Sequence, residues 1–455
     1  MGGLFTSLLN ASGALQVYGR VFNVIQNNVT NAHTPGYVRQ DQSLVAEAFN
    51  PAEHLPGGLL AGPLLSARSQ YLERAVRYQQ ELLGASQQKA ADLARIEPLF
   101  DLSGRSGVPG ALSRFFDSFS QLSVNPNNVT GRQQVIDAAS GVAQAFHENA
   151  LGITQVSNDL DTQVRSSVDV IQQAAKEIAD INRHFRASAD ATQDAGLDAR
   201  LHAALENLSG VVDYSALRAA DGTISVYVGG QTPLVIGDHS YSVTADLAGT
   251  QALIRDSQGN DITGQLAGRG GSLGALLEEK NTILPGYLAS LNNIAQAFAD
   301  TVNAALAQGV DLNGNAPTTD LFSYSVAAGA AASLAVTGIT PDQIAAASAG
   351  APGGNGNAIA IAQLAGQPAV NGFTFIQAYG NLGSRVGRDV SNARQDREAQ
   401  KDLVTQTQQQ RADVSGVSLD AEAVKLMQFQ QNYQAVGKLV TVLDGLTQTV
   451  INLIP

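Results

Sequence analysis

The sequence predicts a mainly α-helical, elongated, multi-domain protein, with a small antiparallel β domain inserted between helices and with its N- and C-terminal helices paired as a coiled coil. Apolar residues recur with heptad spacing at both ends of the chain. In long stretches between the ends, apolar residues recur every three or four positions, as in helices. Near residue 211 the pattern changes to alternating apolar and polar residues, as in strands. A chain of 455 residues is long enough for two to four domains.

An N-terminal helix is predicted over residues 4–29, roughly 40 Å long at the usual rise per residue. Its apolar positions step alternately by four and three, which is the pattern of a coiled-coil seam. The seam consists of Leu4, Leu8, Ala11, Leu15, Tyr18, Phe22, Ile25 and Val29. Leu9, Val17, Val21 and Val24 lie off this seam. A second face is therefore apolar, and one partner helix cannot cover both.

The helix is predicted to end in an Asn-rich turn. The turn residues are Asn27, Asn28, Asn31, Thr34, Pro35, Gly36 and Tyr37. Pro35 disfavours helix at the residue before it, and Gly36 can adopt a positive φ. Residues 38–68 contain three prolines and are interpreted as an irregular extended arm.

The middle of the chain combines helices with one β domain. Helical spacing returns over residues 70–97, 111–122 and 131–185. Residues 223–228 then alternate, and Asp221-Gly222 before them is a hairpin signal. Further strand candidates are residues 233–236, 241–245 and 252–255. Because helices flank these strands, the β domain is predicted to be an insertion.

Helices are predicted again after the β domain, over residues 273–307 and from residue 376 to about 413. Between them, residues 320–372 are rich in Ala and Gly and contain one strand-like stretch, 332–336. The predicted domains are residues 1–69, 70–210, 211–272, 273–414 and 415–455.

The final helix is predicted to start after Ser418, a residue type favoured at the N-cap. Asp420 and Glu422 lie in its first turn, where the helix dipole favours negative charge. Its seam steps by three and four through Val436, Leu439, Leu443, Leu446, Val450 and Leu453.

Composition excludes several classes of protein. The formal charge is −13 and no Lys/Arg cluster occurs, which argues against nucleic acid and anionic membranes as partners. No cysteine is present, so disulfides, thiolate zinc sites and Cys nucleophiles are excluded. No run of 18 apolar residues occurs to span a bilayer. Because no basic residue precedes Arg20, no cleaved secretory signal is expected.

Candidate chemical sites are weak. Residues 311–315 begin like a calcium loop, but Ala316 and Phe322 stand where that loop needs Gly and Glu. His147-Glu148 lacks the second His of a zinc-protease motif, and no Gly-x-Ser-x-Gly elbow occurs. The sequence therefore predicts no catalytic residue, metal site or cofactor, and not an enzyme.

The two end seams favour assembly over a simple helical bundle. A chain that returns beside its own start makes the end helices antiparallel, and their remaining apolar surface is available to neighbouring copies. An alternative of another class is a secreted adhesin that binds a ligand through the β domain.

Three segments resemble a known family. Residues 27–37, Asn-Asn-Val-Thr-Asn-Ala-His-Thr-Pro-Gly-Tyr, resemble the signature of flagellar rod, hook and hook-associated axial proteins. Residues 415–420, Ser-Gly-Val-Ser-Leu-Asp, with Leu426, Phe429 and Tyr433, resemble the ending of the hook-associated protein 1 family, and residues 309–322 resemble a segment of it. Ala421 and Gly437 depart from that pattern, and the region after Phe322 is short. Another flagellar axial protein, such as the hook or the second junction protein, is the alternative.

The resemblance implies a structural subunit at the junction of hook and filament. It implies a ring of identical copies, with the hook protein and the second hook-associated protein as neighbours. It further implies unfolded export through the flagellar type III apparatus without a cleaved signal, and an export chaperone that binds the helix over about residues 419–453. No nucleic acid and no membrane insertion are expected.

Overall fold

The computed structural model describes residues 2–50, Ala52 and residues 55–452. The chain forms two compact units. The first comprises Met1–Leu83, Val170–Ser242 and Gln400–Pro455, and the second comprises Gly84–Asp169 and Val243–Ala399. The five domains predicted from the sequence remain a prediction, because these two units follow a different division.

Helices make up most of the described chain, which confirms the predicted fold class. The α-helices are α1 (Gly2–Thr30), α2 (Gln70–Ile96), α3 (Gly107–Val124), α4 (Val129–Ala187), α5 (Ala195–Ser209), α6 (Thr263–Leu266), α7 (Gly271–Glu278), α8 (Leu284–Leu306), α9 (Ala330–Ser333), α10 (Gly356–Gln363), α11 (Phe375–Ser415) and α12 (Leu419–Asn452). The heptad-patterned segments at both ends are thus helical.

The strands form small antiparallel sheets. They are β1 (Gln40–Asn50), β2 (Leu55–Ser66), β3 (Tyr214–Arg218), β4 (Ile224–Val228), β5 (Thr232–Ile236), β6 (His239–Ser240), β7 (Thr244–Asp246), β8 (Leu253–Arg255), β9 (Gly309–Val310), β10 (Phe322–Ser323), β11 (Ala335–Val336) and β12 (Ala347–Ser348). The predicted strand over residues 332–336 is wrong in its first half, because α9 extends to Ser333.

Strands β1 and β2 form a two-stranded ribbon in the first unit, so the predicted irregular arm is wrong. They pair from Gln40 opposite Ser66 to Asn50 opposite Leu55, with a register shift between Gln42 and Leu44. Pro63 lies at this shift, where the ladder needs no N–H donor, so the proline does not interrupt the ribbon.

The strands predicted as one inserted domain form two separate sheets. In the first unit the order is β3-β4-β5-β6, and in the second β7 pairs with β8. Asn182 of α4 holds the first sheet: it accepts from the backbone N–H of Ile224 at 2.8 Å, and its amide donates to the carbonyl oxygens of Ile224 and Gly237. Val226 and Leu234 form the buried side of this sheet.

The core of the second unit is aromatic. Rings of α3, α8, β10 and α11 meet with centroids 5.1 to 6.3 Å apart, mostly tilted or edge to face. The residues are Phe115, Phe116, Phe298, Phe322 and Phe375. Such pairs add stability beyond the apolar area that they bury. These five rings therefore join α3, α8, β10 and α11 in the core of this unit.

The helix predicted over residues 273–307 contains a π-helical turn, Glu279–Ile283, between α7 and α8. The turn buries Lys280, whose Nζ donates to the backbone oxygen of Ser157 at 2.9 Å and to Asp161 at 3.0 Å. It also buries Glu279, which is 1% exposed and whose two carboxyl oxygens have no hydrogen-bond partner within the described residues. Burial and the negative charge of Asp92 raise the pKa of Glu279 to about 9.

Replacing Glu279 by Gln is expected to stabilise the protein at alkaline pH. The pKa of Glu279 is above its ordinary value of 4.5 in the folded state, so this side chain favours folding below pH 4.5 and disfavours it progressively as the pH rises toward 9. A neutral isostere removes that dependence. We expect the Glu279→Gln variant to gain about 1–3 kcal/mol in free energy of unfolding at pH 8. Urea unfolding at pH 4 and pH 8 checks this, since equal differences at both pH values would contradict the titration.

Candidate assembly interface

The two end helices pack against each other in the first unit, in antiparallel orientation. Asn28, near the end of α1, donates to Glu422 in the first turn of α12 at 3.2 Å. Earlier in α1, the ring of Tyr18 lies 5.9 Å from that of Phe429, and the ring of Phe22 lies 5.8 Å from that of Tyr433. Both ring pairs lie earlier in α1 and later in α12 than the contact of Asn28 with Glu422, so the two helices run in opposite directions, as predicted for a chain that returns beside its own start.

The predicted seam of α1 is only partly buried. Ala11 and Ile25 are buried, and Val29 is exposed. The remaining members are half-buried, namely Leu4, Leu8, Leu15, Tyr18 and Phe22. The off-seam residues Val17 and Val21 are buried. The β1-β2 ribbon packs on α1, where Asn10 donates to the carbonyl oxygen of Gly57. The ribbon is therefore a second partner of α1 that the heptad spacing did not indicate.

The predicted seam of α12 is divided between two faces. Its half-buried members are Val436, Leu443 and Val450, whereas Leu439 and Leu446 are exposed. Of the three family-motif residues earlier in the helix, Phe429 is half-buried and Leu426 and Tyr433 are exposed. Leu453 lies outside the described residues. Leu439 and Leu446 lie outside the less exposed stripe of α12, which runs through Val436, Val440 and Leu443.

Four exposed apolar side chains lie on one side of α12, which we name the outer face. It consists of Val424, Leu439, Val442 and Leu446. At 3.6 residues per turn these positions lie within about 60° of one another around the helix axis. Leu439 is 50% exposed and Leu446 is 49% exposed. The outer face is therefore available to another molecule while α12 is paired with α1.

A buried polar cluster, the clasp, joins the Asn-rich turn to the start of α12. Its centre is Asn28, which is fully buried. The Asn28 oxygen accepts from the Gln40 backbone N–H and from the Tyr37 hydroxyl, both at 2.9 Å. The Asn28 amide donates to the Gln40 carbonyl oxygen at 2.8 Å and to Glu422. All four hydrogen-bonding positions of one Asn side chain are thus used.

Glu422 brings the final helix into the clasp. It is fully buried, and Lys425, one turn later, lies 3.7 Å from its Oε1 and donates to Asp41. Burial and the charge of Glu422 raise the pKa of Tyr37 to about 12, so its hydroxyl remains a donor at physiological pH. Glu422 Oε2 accepts from Asn28, whereas its buried Oε1 has no hydrogen-bond partner within the described residues, so the contact with Asn28 ties the position of α12 to the turn.

Further hydrogen bonds to backbone oxygens join the chain segments around the clasp. The Arg39 N–H donates to the Ser415 carbonyl oxygen at 2.9 Å, and the Ser415 hydroxyl donates to the Ala67 carbonyl oxygen at 2.9 Å. Ser418 caps α12 as predicted, accepting from the Ala421 N–H at 3.3 Å. The segments that the family resemblance singled out at opposite ends of the chain are therefore in direct contact.

The other turn residues shape the chain locally. Asn31 donates to the backbone oxygen of Asn27 at 3.0 Å and accepts from Thr34 at 3.1 Å. Gly36 has a φ of 74°, as the turn chemistry predicts. A Cβ at Gly36 would lie 2.2 Å from the Ala199 carbonyl oxygen of α5, so a side chain is excluded there. Pro35 lines a groove beside α5 together with Asn27 and Asn31.

An ion-pair network, which the sequence did not indicate, lies near the clasp. Arg68 donates to Glu73 at 2.6 Å, to Asp198 at 2.7 Å and to the Gly36 carbonyl oxygen at 2.6 Å. Burial alone would raise the pKa of Glu73, but His202, Arg68 and Arg411 outweigh it and lower that pKa to about 2. Since Glu73 is ionised at physiological pH, the network holds α2, α5 and α11 together near the clasp.

Within the described residues, no group of three or more His, Asp or Glu side chains is arranged to hold a metal ion. In the same part of the chain, no helix is long and apolar enough to cross a membrane.

Comparison with known proteins gives consistent results. The family model described as "Flagellar hook-associated protein FlgK helical domain" matches residues 93–322, and the model described as "Flagellar basal body rod FlgEFG protein C-terminal" matches residues 408–453. Flagellar hook-associated protein 1 of Bacillus subtilis (strain 168) is 25% identical over 501 residues, which cover 99% of each chain. Its namesake in Escherichia coli (strain K12) is 23% identical over 546 residues, covering 98% of this chain and 99% of its own.

A solved structure shows the same fold. The flagellar hook junction protein FlgK from Burkholderia pseudomallei superposes with a TM-score of 0.68 at 16% identity, over 75% of this chain and 100% of that one. The alignment with the Escherichia coli protein is longer than this chain, so that relative contains residues that are missing here. Because the FlgK helical-domain model matches half of the sequence, the chain belongs to the family of the flagellar hook-associated protein FlgK, a structural component of the bacterial flagellum.

Proposed function

We propose that this protein is the structural subunit that joins the flagellar hook to the filament, and that its copies assemble through the outer face of α12. The observation that carries the proposal is this exposed apolar stripe on a helix whose other side is already paired with α1. The clasp sets the register of the pair, because the hydrogen bond of Asn28 to Glu422 joins the end of α1 to the start of α12.

The outer face has the chemistry of a protein interface. Contiguous exposed apolar side chains on a folded surface mark an interaction site or an aggregation liability. Full burial of one Leu or Val side chain contributes about 1.5–3 kcal/mol. Val45 and Phe49 of the β1-β2 ribbon are also exposed and add apolar surface to the same unit. Several such side chains per copy favour association once copies are held side by side.

The neighbours follow from this role. Copies of the chain form a ring, with the hook protein on one side and the second hook-associated protein on the other. A ring closes when each copy meets the next through different surfaces related by rotation. The match of residues 408–453 to a model of rod proteins favours one alternative to the junction role. In this alternative, the chain is an axial protein at another position along the flagellum.

Export precedes assembly in this proposal. An exposed apolar helix is an aggregation liability before copies meet, so an export chaperone covers residues 419–452 in the cell. Ala11 and other residues near the start of α1 are packed in the first unit, so α1 has to reach the site of assembly together with α12. Removal of α1 would leave α12 without its partner.

Photo-crosslinking from a single introduced cysteine tests the proposed contact. Because the chain contains no cysteine, a Leu439→Cys variant can be labelled at one position with a short thiol-specific photo-crosslinker. We expect illumination of isolated flagella to join residue 439 covalently to a second copy or to an adjacent flagellar subunit.

The control is a Thr441→Cys variant, labelled at an exposed position on another side of α12. It should give less product, and the labelled Leu439→Cys monomer in dilute solution should give none. Absence of any product from residue 439 in isolated flagella would refute the proposed interface.

A further inference from the structure

A cavity of about 540 Å³ lies in the first unit, between α2, α5 and the sheet that begins with β3. Its lining includes three arginines, Arg74, Arg77 and Arg218, together with His202 and Tyr214. Neither the end-helix pair nor the clasp uses Arg74 or Arg77. The cavity is large enough for a small molecule.

The arginines of this cavity are poorly paired, although the chain carries an excess of negative charge. Within the described residues, Arg74 and Arg77 form no ion pair with a carboxylate. Arg74 donates through Nε to the Gln70 carbonyl oxygen at 3.3 Å, and Arg77 is hydrogen-bonded to the Tyr214 hydroxyl. Arg218 lies 3.9 Å from Asp198, at the edge of ion-pair distance. Two arginines that carry no carboxylate counter-ion leave positive charge facing the cavity.

Two acidic residues line the cavity without neutralising it. Burial and the charge of Asp213 raise the pKa of Glu81 to about 7. At slightly acidic pH, Glu81 is therefore mostly neutral, and Asp213 opposes three arginines. The lining then carries a net positive charge, partly shielded from water, where electrostatic attraction is less screened than at an open surface.

His202 provides a second, independent observation. It is 3% exposed and lines the same cavity, and neither of its ring nitrogens has a hydrogen-bond partner within the described residues. The nearest carboxylate oxygens, on Glu73 and Asp198, are each 3.7 Å away, beyond hydrogen-bond distance. Buried polar atoms without a close hydrogen-bond partner are rare in native proteins, and a bound ion or water satisfies such an atom.

We propose that this cavity binds a small oxyanion, that is, an ion bearing a carboxylate or phosphate group. Guanidinium groups present several N–H donors in a plane that matches such oxygens. The anion, or a water molecule held with it, supplies the buried imidazole of His202 with an acceptor. This site is separate from the proposed assembly contact, so either proposal can fail without the other.

Inorganic phosphate is the probe for the test. Phosphate is titrated into the full-length protein at pH 6.5 and constant ionic strength, and binding is followed by calorimetry. We expect saturable binding to the unchanged chain, weakened about tenfold or more in both Arg74→Gln and Arg77→Gln. The matched control is Arg388→Gln, which removes the same charge from an exposed position in the second unit.

The outcomes are distinct. Selective weakening by the two cavity variants, with Arg388→Gln unchanged, supports the site. Absence of saturable binding up to about 10 mM phosphate, or equal weakening by all three variants, overturns it. Arg74 is exposed, so Arg74→Gln decides the question even if circular dichroism shows that Arg77→Gln disturbs the fold.

Discussion

A chain that carries both Leu439→Asp and Leu446→Asp is expected to fold normally and to fail to bind its neighbours. Both side chains are about half exposed on the outer face, so charge at these positions costs the monomer about 0.5 kcal/mol or less. In an assembled interface the same two carboxylates would be desolvated without a partner, at several kcal/mol each. Far-UV spectra and the melting temperature should match those of the unchanged chain, whereas co-sedimentation of the purified protein with isolated hooks should be lost.

The matched control is the Thr441→Asp and Gln448→Asp pair. These residues have the same seven-residue spacing, are exposed, and lie on the opposite side of α12 from Leu439 and Leu446. The control adds the same negative charge to the same helix and should still co-sediment. Co-sedimentation of the Leu439→Asp and Leu446→Asp chain at the level of this control would show that the outer face is not the contact.

Replacing Asn28 by Leu should cause the largest loss of stability in the first unit. The change leaves the Gln40 backbone groups, the Tyr37 hydroxyl and the Glu422 carboxylate buried without the partner that they share. Breaking a buried, charge-containing hydrogen-bond group costs about 3–5 kcal/mol. Urea unfolding measures this loss. Hydrogen exchange of the α12 backbone amides should show that α12 unfolds before the rest of the first unit.

Two comparisons isolate the clasp from a general effect of apolar substitution. Asn27→Leu, one position earlier and exposed, should cost about 1 kcal/mol or less, since both hydrogen bonds of its side chain, to Tyr37 at 3.3 Å and from Asn31 at 2.7 Å, lie at the surface. A chain with both Asn28→Leu and Glu422→Leu should lose less than the sum of the single losses, because the unpaired charge is gone. Strict additivity of the two changes would contradict the direct contact between Asn28 and Glu422.

Local patterns in the sequence predict the helices well and their partners poorly. Heptad spacing places α1 and α12 correctly because helical period is a property of neighbouring residues. The same spacing assigns Leu439 and Leu446 to the seam, yet α12 turns an adjacent stripe through Val440 toward α1. Which stripe of a largely apolar helix is covered depends on the partner, and the sequence of one helix does not contain that information.

The ribbon and the clasp show the same limit for long-range contacts. Pro56 and Pro63 suggested irregular chain over residues 38–68, but Pro63 lies at a register shift, where a missing N–H is tolerated. Asn28 and Glu422 are 394 residues apart, so the family resemblance identified both motifs without revealing that they meet. Hydrogen-bond partners at this separation follow from the fold and not from residue spacing.

We propose that copies of this protein hold the filament on the hook through the outer face of α12. The most direct measurement counts filaments by electron microscopy on cells whose only copy of the chain carries Leu439→Asp and Leu446→Asp. We expect these cells to bear hooks without filaments, and cells with Thr441→Asp and Gln448→Asp to bear filaments. Equal numbers of filaments on both kinds of cell would contradict the claim.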